Sequence, residues 1–481
     1  MTRRSGILLL LAAGLLAATP ADAKTKVMFF FDTEDFTCDE SSDAIRETAK
    51  ILAEEGVRGE YNIVGYLARE LVRLGRRDVI DALKPHAIGT QTLKHSEHPT
   101  VCELSDMQDY ETAYRNVLAT EAEGVGMLKA AFGLRHVDYA VPPGNSWSYA
   151  SLYAFADLGM TFYGGGGFAE DGPEGTQSVG LVPPGNRRWG MWFCNLCQIP
   201  YDYIMALEQL IPDGPDWELP DFGKVLDRAA ALDGVVFALH PHMAIKKGHW
   251  DGPNYRGKNL VEWGKWIQVA NRPKEDTEAF YRNFRAFVRR VKSDARFEIT
   301  DTLAEKAKLK PRVPIALKDL PAIRESLRND FGAVSSPASW CVADVFQAVT
   351  YMLRGKSTYW PTKAYGFLER PRGVKAPVTL GAPELREAAQ ALGKVTFIPP
   401  EVDVGGTKVG PADFLLAGLD VLIDDATEVE VRPRDQLGSF GNCPSLETVD
   451  IKVGWIIHSP QLNGALLDER LKLQLWTLRF E

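Results

Sequence analysis

The chain lacks an excess of positive charge. Its 481 residues carry 55 Lys and Arg against 64 Asp and Glu, a formal net charge of −9. Broad nucleic-acid binding needs clustered Lys and Arg against phosphate, so this balance argues against it. Beyond the N-terminus there is no apolar run near the about 20 residues that cross a bilayer, which excludes a multi-span membrane protein. Compositional bias is missing too. Hydrophobic residues make up 45% and charged residues 25%, which excludes a disordered or collagen-like chain and fits a globular one. The length exceeds one ordinary domain, so two or three are expected. Histidine and cysteine are scarce, eight and six residues, so their placement is informative.

What is present begins with Arg3 and Arg4, the apolar run Gly6 to Ala18, and Ala21-Asp22-Ala23. A basic start, a short apolar run and an A-x-A end make a secretory signal peptide over residues 1–23, with a membrane anchor as the alternative. The mature protein is then expected to be exported, periplasmic or extracellular, without stable membrane insertion. Export suggests disulfides among Cys38, Cys102, Cys194, Cys197, Cys341 and Cys443. Six cysteines allow fifteen connectivities and the pairing stays open; Cys38 could meet Cys102 on a site rim, Cys194 could close a local loop with Cys197, and Cys341 could pair with Cys443. A redox role for the C-x-x-C pair lacks the strand–CxxC–helix context it needs.

Lys26 to Phe31 (KVMFFF) is a continuous apolar run, the pattern of a buried strand. Helical spacing over 42–55, a strand over 59–64, a short strand over 86–92 and a long helix over 106–132 follow. Gly234 to Leu239 (GVVFAL) is another buried strand. Strands alternating with helices predict an α/β fold with a mostly parallel sheet. Active groups of such folds gather at the C-terminal ends of strands, and Asp32, His95, Pro142 and His240 all fall just past candidate strands. From about Pro311 the alternation weakens, so 24–310 and 311–481 are expected to be separate domains, the second smaller and mixed. Within it, segments starting near Pro337-Ala338 and at Pro411-Ala412 look alike. A weak helical duplication and two chance helix starts are both open.

His95-x-x-His98 puts two imidazoles within reach of one point if they share a turn. Two imidazoles and a carboxylate make a three-ligand metal site with an open position. Two loop histidines without metal are the plainer reading of that pair alone. Asp32-Thr33-Glu34-Asp35 shifts the balance, because three carboxylates beside a buried strand need a counter-charge. A solvated acidic turn or a helix cap is the alternative there, and a satisfied core histidine is the alternative for His240.

FFFDTED, HAIGTQTLKHSEHP, the PPG at 142–144 and FALHPH, in this order, resemble the motifs of the NodB-type polysaccharide deacetylases, carbohydrate esterase family 4. The flanking stretches at 57–68, 149–164 and 296–307 resemble that family too, so the likeness spans about 24–310 and leaves out the C-terminal third. It implies a distorted (β/α) barrel and a metal-dependent hydrolase that removes acetyl groups from an N-acetylated glycan, a cell-wall polysaccharide among the candidates. Asp32 matches the base, and Glu34 or Asp35 the carboxylate ligand. His95 and His98 match the metal-binding histidines and His240 the general acid. The implied cofactor is a divalent metal, Zn²⁺ with Co²⁺ or Ni²⁺ as alternatives. Ala140 stands near the position of the family's Arg, which orients the base; Arg187 or Arg188 could replace it. That departure leaves room for hydrolysis of another C–N bond, or for a non-catalytic glycan-binding barrel. Trp147, Trp189, Trp192 and Trp250 are candidates for sugar stacking.

Overall fold

A computed structural model describes residues 24–164, 190–199, 205–327, 331–332, 334–438, 457–462 and 464–480. The expected leader, Cys443, Arg187, Arg188 and Trp189 lie outside the described residues.

Nine strands, β1 (Thr25–Thr33), β2 (Glu60–Ile63), β3 (Ala87–Thr90), β4 (Tyr139–Ala140), β5 (Phe162–Gly164), β6 (Met191–Phe193), β7 (Leu196–Ile199), β8 (Gly234–Leu239) and β9 (Phe297–Ile299), build the main sheet. Its order is β6-β7-β5-β4-β3-β2-β1-β8, with β9 also on β1 and the chain's last strand, Arg479–Phe480, added beyond β6. Pairings from β8 through β1, β2, β3, β4 and β5 to β7 are parallel, as expected, and β6 and the last strand run antiparallel. The sheet curls into an incomplete barrel. Among the described residues no pairing joins β8 to the opposite edge.

The apolar run of β1 is explained by burial on both faces. Phe29 and Phe31 join the large core under the helices, while Met28 and Phe30 join Tyr139, Val236 and Ala238 inside the curl. Helices α1 (Ser41–Glu54), α2 (Gly65–Arg73), α3 (Arg77–Leu83), α4 (Val101–Ser105), α5 (Tyr110–Phe132), α6 (Tyr149–Asp157), α7 (Phe222–Ala229), α8 (Lys274–Ser293) and α9 (Thr302–Lys308) occur between the strands and after β9. The long α5 starts on Asp109, whose side chain accepts from Thr112 N at 2.9 Å, and stops at Gly133 with φ 69°. A left-handed residue there closes the helix, which glycine does without Cβ strain.

The C-terminal region repeats one order of elements. β10 (Ile315–Ala316) pairs antiparallel with β11 (Thr358–Tyr359) around α10 (Leu320–Leu327), a bridge between Val334 and Trp340, and α11 (Val342–Leu353). β12 (Val378–Gly381) pairs with β15 (Glu428–Val431) around α12 (Ala382–Leu392), the hairpin β13 (Val402–Val404) and β14 (Thr407–Val409), and α13 (Pro411–Asp424). The two look-alike helix starts are those of α11 and α13. In each, a buried Asp one turn in caps the helix: Asp344 accepts from Cys341 N at 3.3 Å and Asp413 from Gly410 N at 3.1 Å. Each also pairs with an arginine, Arg312 and Arg434 respectively. At the end of this region Arg479 and Phe480 pair with Trp192 and Met191 of β6.

The disulfide expectation is corrected. Among the described residues no two cysteines stand at disulfide distance. Cys102 and Cys194 are buried, and burial pushes both thiols up, away from the reactive thiolate. Cys197 and Cys341 are buried as well.

Candidate metal centre at the barrel mouth

Strand alternation turns Phe30 and Asp32 to the inside of the curl, so Asp32 emerges at its mouth. Gln91 follows β3 and His240 follows β8, at the same end of the parallel sheet, with β8 next to β1 and β3 two strands away on its other side. Gln91 Nε2 donates to Asp32 Oδ1 at 2.9 Å, and His240 Nε2 stands 3.5 Å from Asp32 Oδ2. A neutral amide thus contacts the carboxylate where the resemblance implied a guanidinium. Burial pushes Asp32 up to about 7, against the lowering effect of the His240 imidazole.

Glu34 is the hub. Its Oε2 is 2.6 Å from His95 Nε2, and its Oε1 is 3.9 Å from His242 Nδ1 and 3.9 Å from His249 Nδ1. Burial opposes its charge, but the imidazoles of His95 and His240 outweigh that and hold it well below the usual carboxylate range. Ligand atoms of Glu34, His240 and His249 all lie within 4.8 Å of one another. His240 is fixed from behind: Glu208 Oε1 accepts from its backbone N at 2.7 Å and lies 2.8 Å from its Nδ1. Burial opposes charge on His240 too, yet Glu34, Glu208 and Asp32 raise it to about 10. His242 is held neutral by burial, and its Nε2 is buried without a hydrogen-bond partner.

Two expected residues are turned elsewhere. Asp35 is held in the loop before α1: Oδ1 accepts from Thr37 N at 2.9 Å and Thr37 Oγ1 at 2.7 Å, and Oδ2 from Ser41 Oγ at 2.5 Å. Of the two, Glu34 is the one that lies among the imidazoles. His98 spends both ring nitrogens away from it, Nδ1 on Glu103 Oε1 at 2.8 Å and Nε2 on the Tyr255 carbonyl at 2.8 Å. His95 and His98 therefore do not share a point, because His95 has φ 54° and the chain turns between them. Sequence reasoning missed His249, Glu208 and Gln91. His242 stood inside a quoted motif and was passed over. Glu208 and His249 carry no spacing signal, since a short 3-10 turn and a loop far apart in sequence bring them to the site.

The tryptophans also divide. Trp147 is buried and donates to the Gly164 carbonyl at 2.6 Å. Trp250 is buried between His95, at 5.6 Å, and Phe36, at 4.7 Å. The Arg479 guanidinium covers the Trp192 ring at 4.1 Å. Trp263, which the sequence did not single out, is 42% exposed and stacked on Phe36 at 5.4 Å.

The donors fit a divalent cation. One buried carboxylate ringed by imidazoles is the nitrogen-and-oxygen set that zinc takes, and ligand atoms of Glu34, His240 and His249 lie close enough together to share one ion.

No family model matches the chain, and no curated protein does. Solved structures of similar shape include a 4-alpha-glucanotransferase from Thermococcus litoralis, at TM-score 0.39 and 14% identity over 60% of this chain and 41% of that one. The chain thus spans well under two thirds of that enzyme. A Mycobacterium smegmatis protein provisionally named a polysaccharide deacetylase matches at TM-score 0.35 and 15% identity, over 62% of this chain and 96% of that one. A CE4 family pseudoenzyme from Bacillus anthracis matches at TM-score 0.26 and 12% identity, over 46% of this chain and 56% of that one. At these scores the likenesses decide nothing about activity, and the three names differ in it.

Proposed function

We propose that the protein is a metal-dependent hydrolase that removes an acyl group from the nitrogen of a glycan, acting after export. The observation that carries this reading is the buried Glu34 carboxylate with four imidazoles turned toward it, beside a second carboxylate, Asp32, at the mouth of the curled sheet. Glu34, His95 and His249 would hold the cation, with His242 the next donor. A divalent ion there would acidify a water and polarise an acyl oxygen.

The chain's own groups do the rest. Asp32, oriented by Gln91, takes the proton from the attacking water. His240, held by Glu208, carries a proton on Nε2 and gives it to the departing nitrogen. His240 Nε2 stands 3.5 Å from Asp32 Oδ2, so both proton-handling groups open on the same mouth, and a scissile amide docked over the pair would lie within reach of each. The glycan rests on the sequence resemblance, and export on the leader pattern.

One observation favours a second assignment. The compact grouping of Glu34, His240 and His249 would make His240 a ligand, with Glu208 as its outer-shell carboxylate. His240→Ala separates the two: metal retained with hydrolysis lost supports the acid, and metal lost supports the ligand. The primary test is elemental analysis of the purified protein with an acetate-release assay on N-acetylated oligosaccharides. One bound equivalent with acetate release is expected. A chain that binds no metal after supplementation would leave a non-catalytic barrel.

A further inference from the structure

The segment 91–95 carries two contacts of the site, Gln91 on Asp32 and His95 on Glu34. Its backbone is unfavourable by itself. Thr92 has φ 68° and His95 φ 54°, left-handed values that a β-branched residue rarely takes. Such geometry persists only where the surroundings impose it. Three elements do so here. The start of α2 donates Gly65 N to the Thr92 carbonyl at 3.0 Å and Tyr66 N to the Leu93 carbonyl at 2.9 Å. Thr92 Oγ1 accepts from His95 N at 3.1 Å.

The third is the middle of α5. Glu121, 1% exposed, accepts from Leu93 N through Oε2 at 3.0 Å. One turn on, Gly124 lies so close that a Cβ would stand 2.9 Å from Leu93 Cα. Glu121 is outside the cluster, and no element of the proposed mechanism uses it. A carboxylate buried in a helix interior is costly unless it does something there. Burial pushes its pKa up to about 8, so at neutral pH it is a carbonyl-type acceptor rather than a charge.

We propose that Glu121 is a positioning residue: by fixing Leu93 N, it clamps the left-handed 91–95 segment so that His95 reaches Glu34 and Gln91 reaches Asp32. The consequence for metal binding rests on the function proposed above; the consequence for the His95 ring does not.

The test uses the full chain with Glu121→Ala, Glu121→Gln and Leu128→Ala, the last removing a buried core side chain from the same helix. Zinc affinity is measured by chelator competition. The imidazole ¹⁵N resonances of selectively labelled histidines are recorded in the metal-free protein. Glu121→Ala is expected to weaken zinc about 10–100-fold and to shift the His95 resonances. Glu121→Gln, which keeps the carbonyl acceptor, should restore zinc affinity to within about threefold of the parent. Leu128→Ala should lower Tm and change neither readout. Should Glu121→Ala not fold, Gly124→Ala keeps the carboxylate but pushes Leu93 away, and the same two changes are expected. Unshifted His95 resonances in both variants, or equal effects of Glu121→Ala and Leu128→Ala, or no rescue by glutamine, would overturn the clamp. If the parent chain takes up no zinc, the metal reading fails, and the His95 resonances alone decide the clamp.

Discussion

The two ends of the barrel each bury acidic groups, and they settle them by different means. At the base, Glu60 Oε2 accepts from Thr302 N at 3.0 Å and Thr302 Oγ1 at 2.6 Å. Around it Asp301 caps α9 and meets Arg58, Glu305 meets Lys26 at 2.6 Å, and Asp138 meets Lys306. Backbone donors, hydroxyls and permanent cations meet the acidic groups there, and burial leaves Glu60 itself holding a proton. At the mouth, Asp32 and Glu34 face His240, His95, His242 and His249 instead, groups that gain and lose protons and bind metals. The base carboxylates hold helix and strand ends in place. The mouth carboxylates are left to partners whose charge can change, which is what proton transfer and metal binding require.

The largest expected break of this contrast is at Asp32. Asp32→Asn keeps the shape and the Gln91 contact but removes the base. Hydrolysis is expected to fall about 10²–10⁴-fold with metal content and Tm nearly unchanged, as acetate release, elemental analysis and thermal melts will read. The histidine pair gives the next. His95→Ala should lose the metal. His98→Ala should keep it and lose stability, about 1–3 kcal/mol in denaturant titration, because Glu103 is left without its ring partner. Equal metal loss in both variants would restore the pair as joint ligands.

The fold was legible where the physics is local. The run KVMFFF announces a strand buried on both faces, and the order of strand ends brings Asp32 and His240 to one mouth. Glu34 and His95 were readable as candidates for the same reason. The choice between Glu34 and Asp35 was not, since it turns on Thr37 and Ser41 donating to Asp35 and holding it in the loop before α1. His98 was misread because the one-turn geometry expected of H-x-x-H never forms: a left-handed His95 sends the second ring toward Tyr255. Gln91 follows β3, Glu208 sits in a short 3-10 turn and His249 in the loop after β8, so no periodic trace links them. The last strand is two residues long, too short for any pattern to show that it returns to the sheet.

The base end supplies the third break. Burial pushes Glu60 up to about 8 from an ordinary 4.5. The folded chain therefore keeps a proton that the unfolded chain releases above about 4.5, so the contribution is full below that pH and is lost as pH rises toward 8. Glu60→Gln should flatten this slope, by on the order of a few kcal/mol between the two limits, in urea titrations across pH. Metal content should not move.

The smallest effect sharpens the contrast most. Arg58 Nη1 meets Asp301 Oδ2 at 3.3 Å, but its side chain is 45% exposed. Asp301 still accepts from Ala304 N at 2.9 Å when the guanidinium is gone. Arg58→Ala should therefore cost at most about 1 kcal/mol and leave metal and hydrolysis untouched. At the mouth no backbone donor stands in for a lost imidazole on Glu34 among the contacts described, so a single histidine there should matter more than an arginine at the base. A metal loss caused by Arg58→Ala would mean that the two ends are coupled through β1 and β2 and that their division of labour is false.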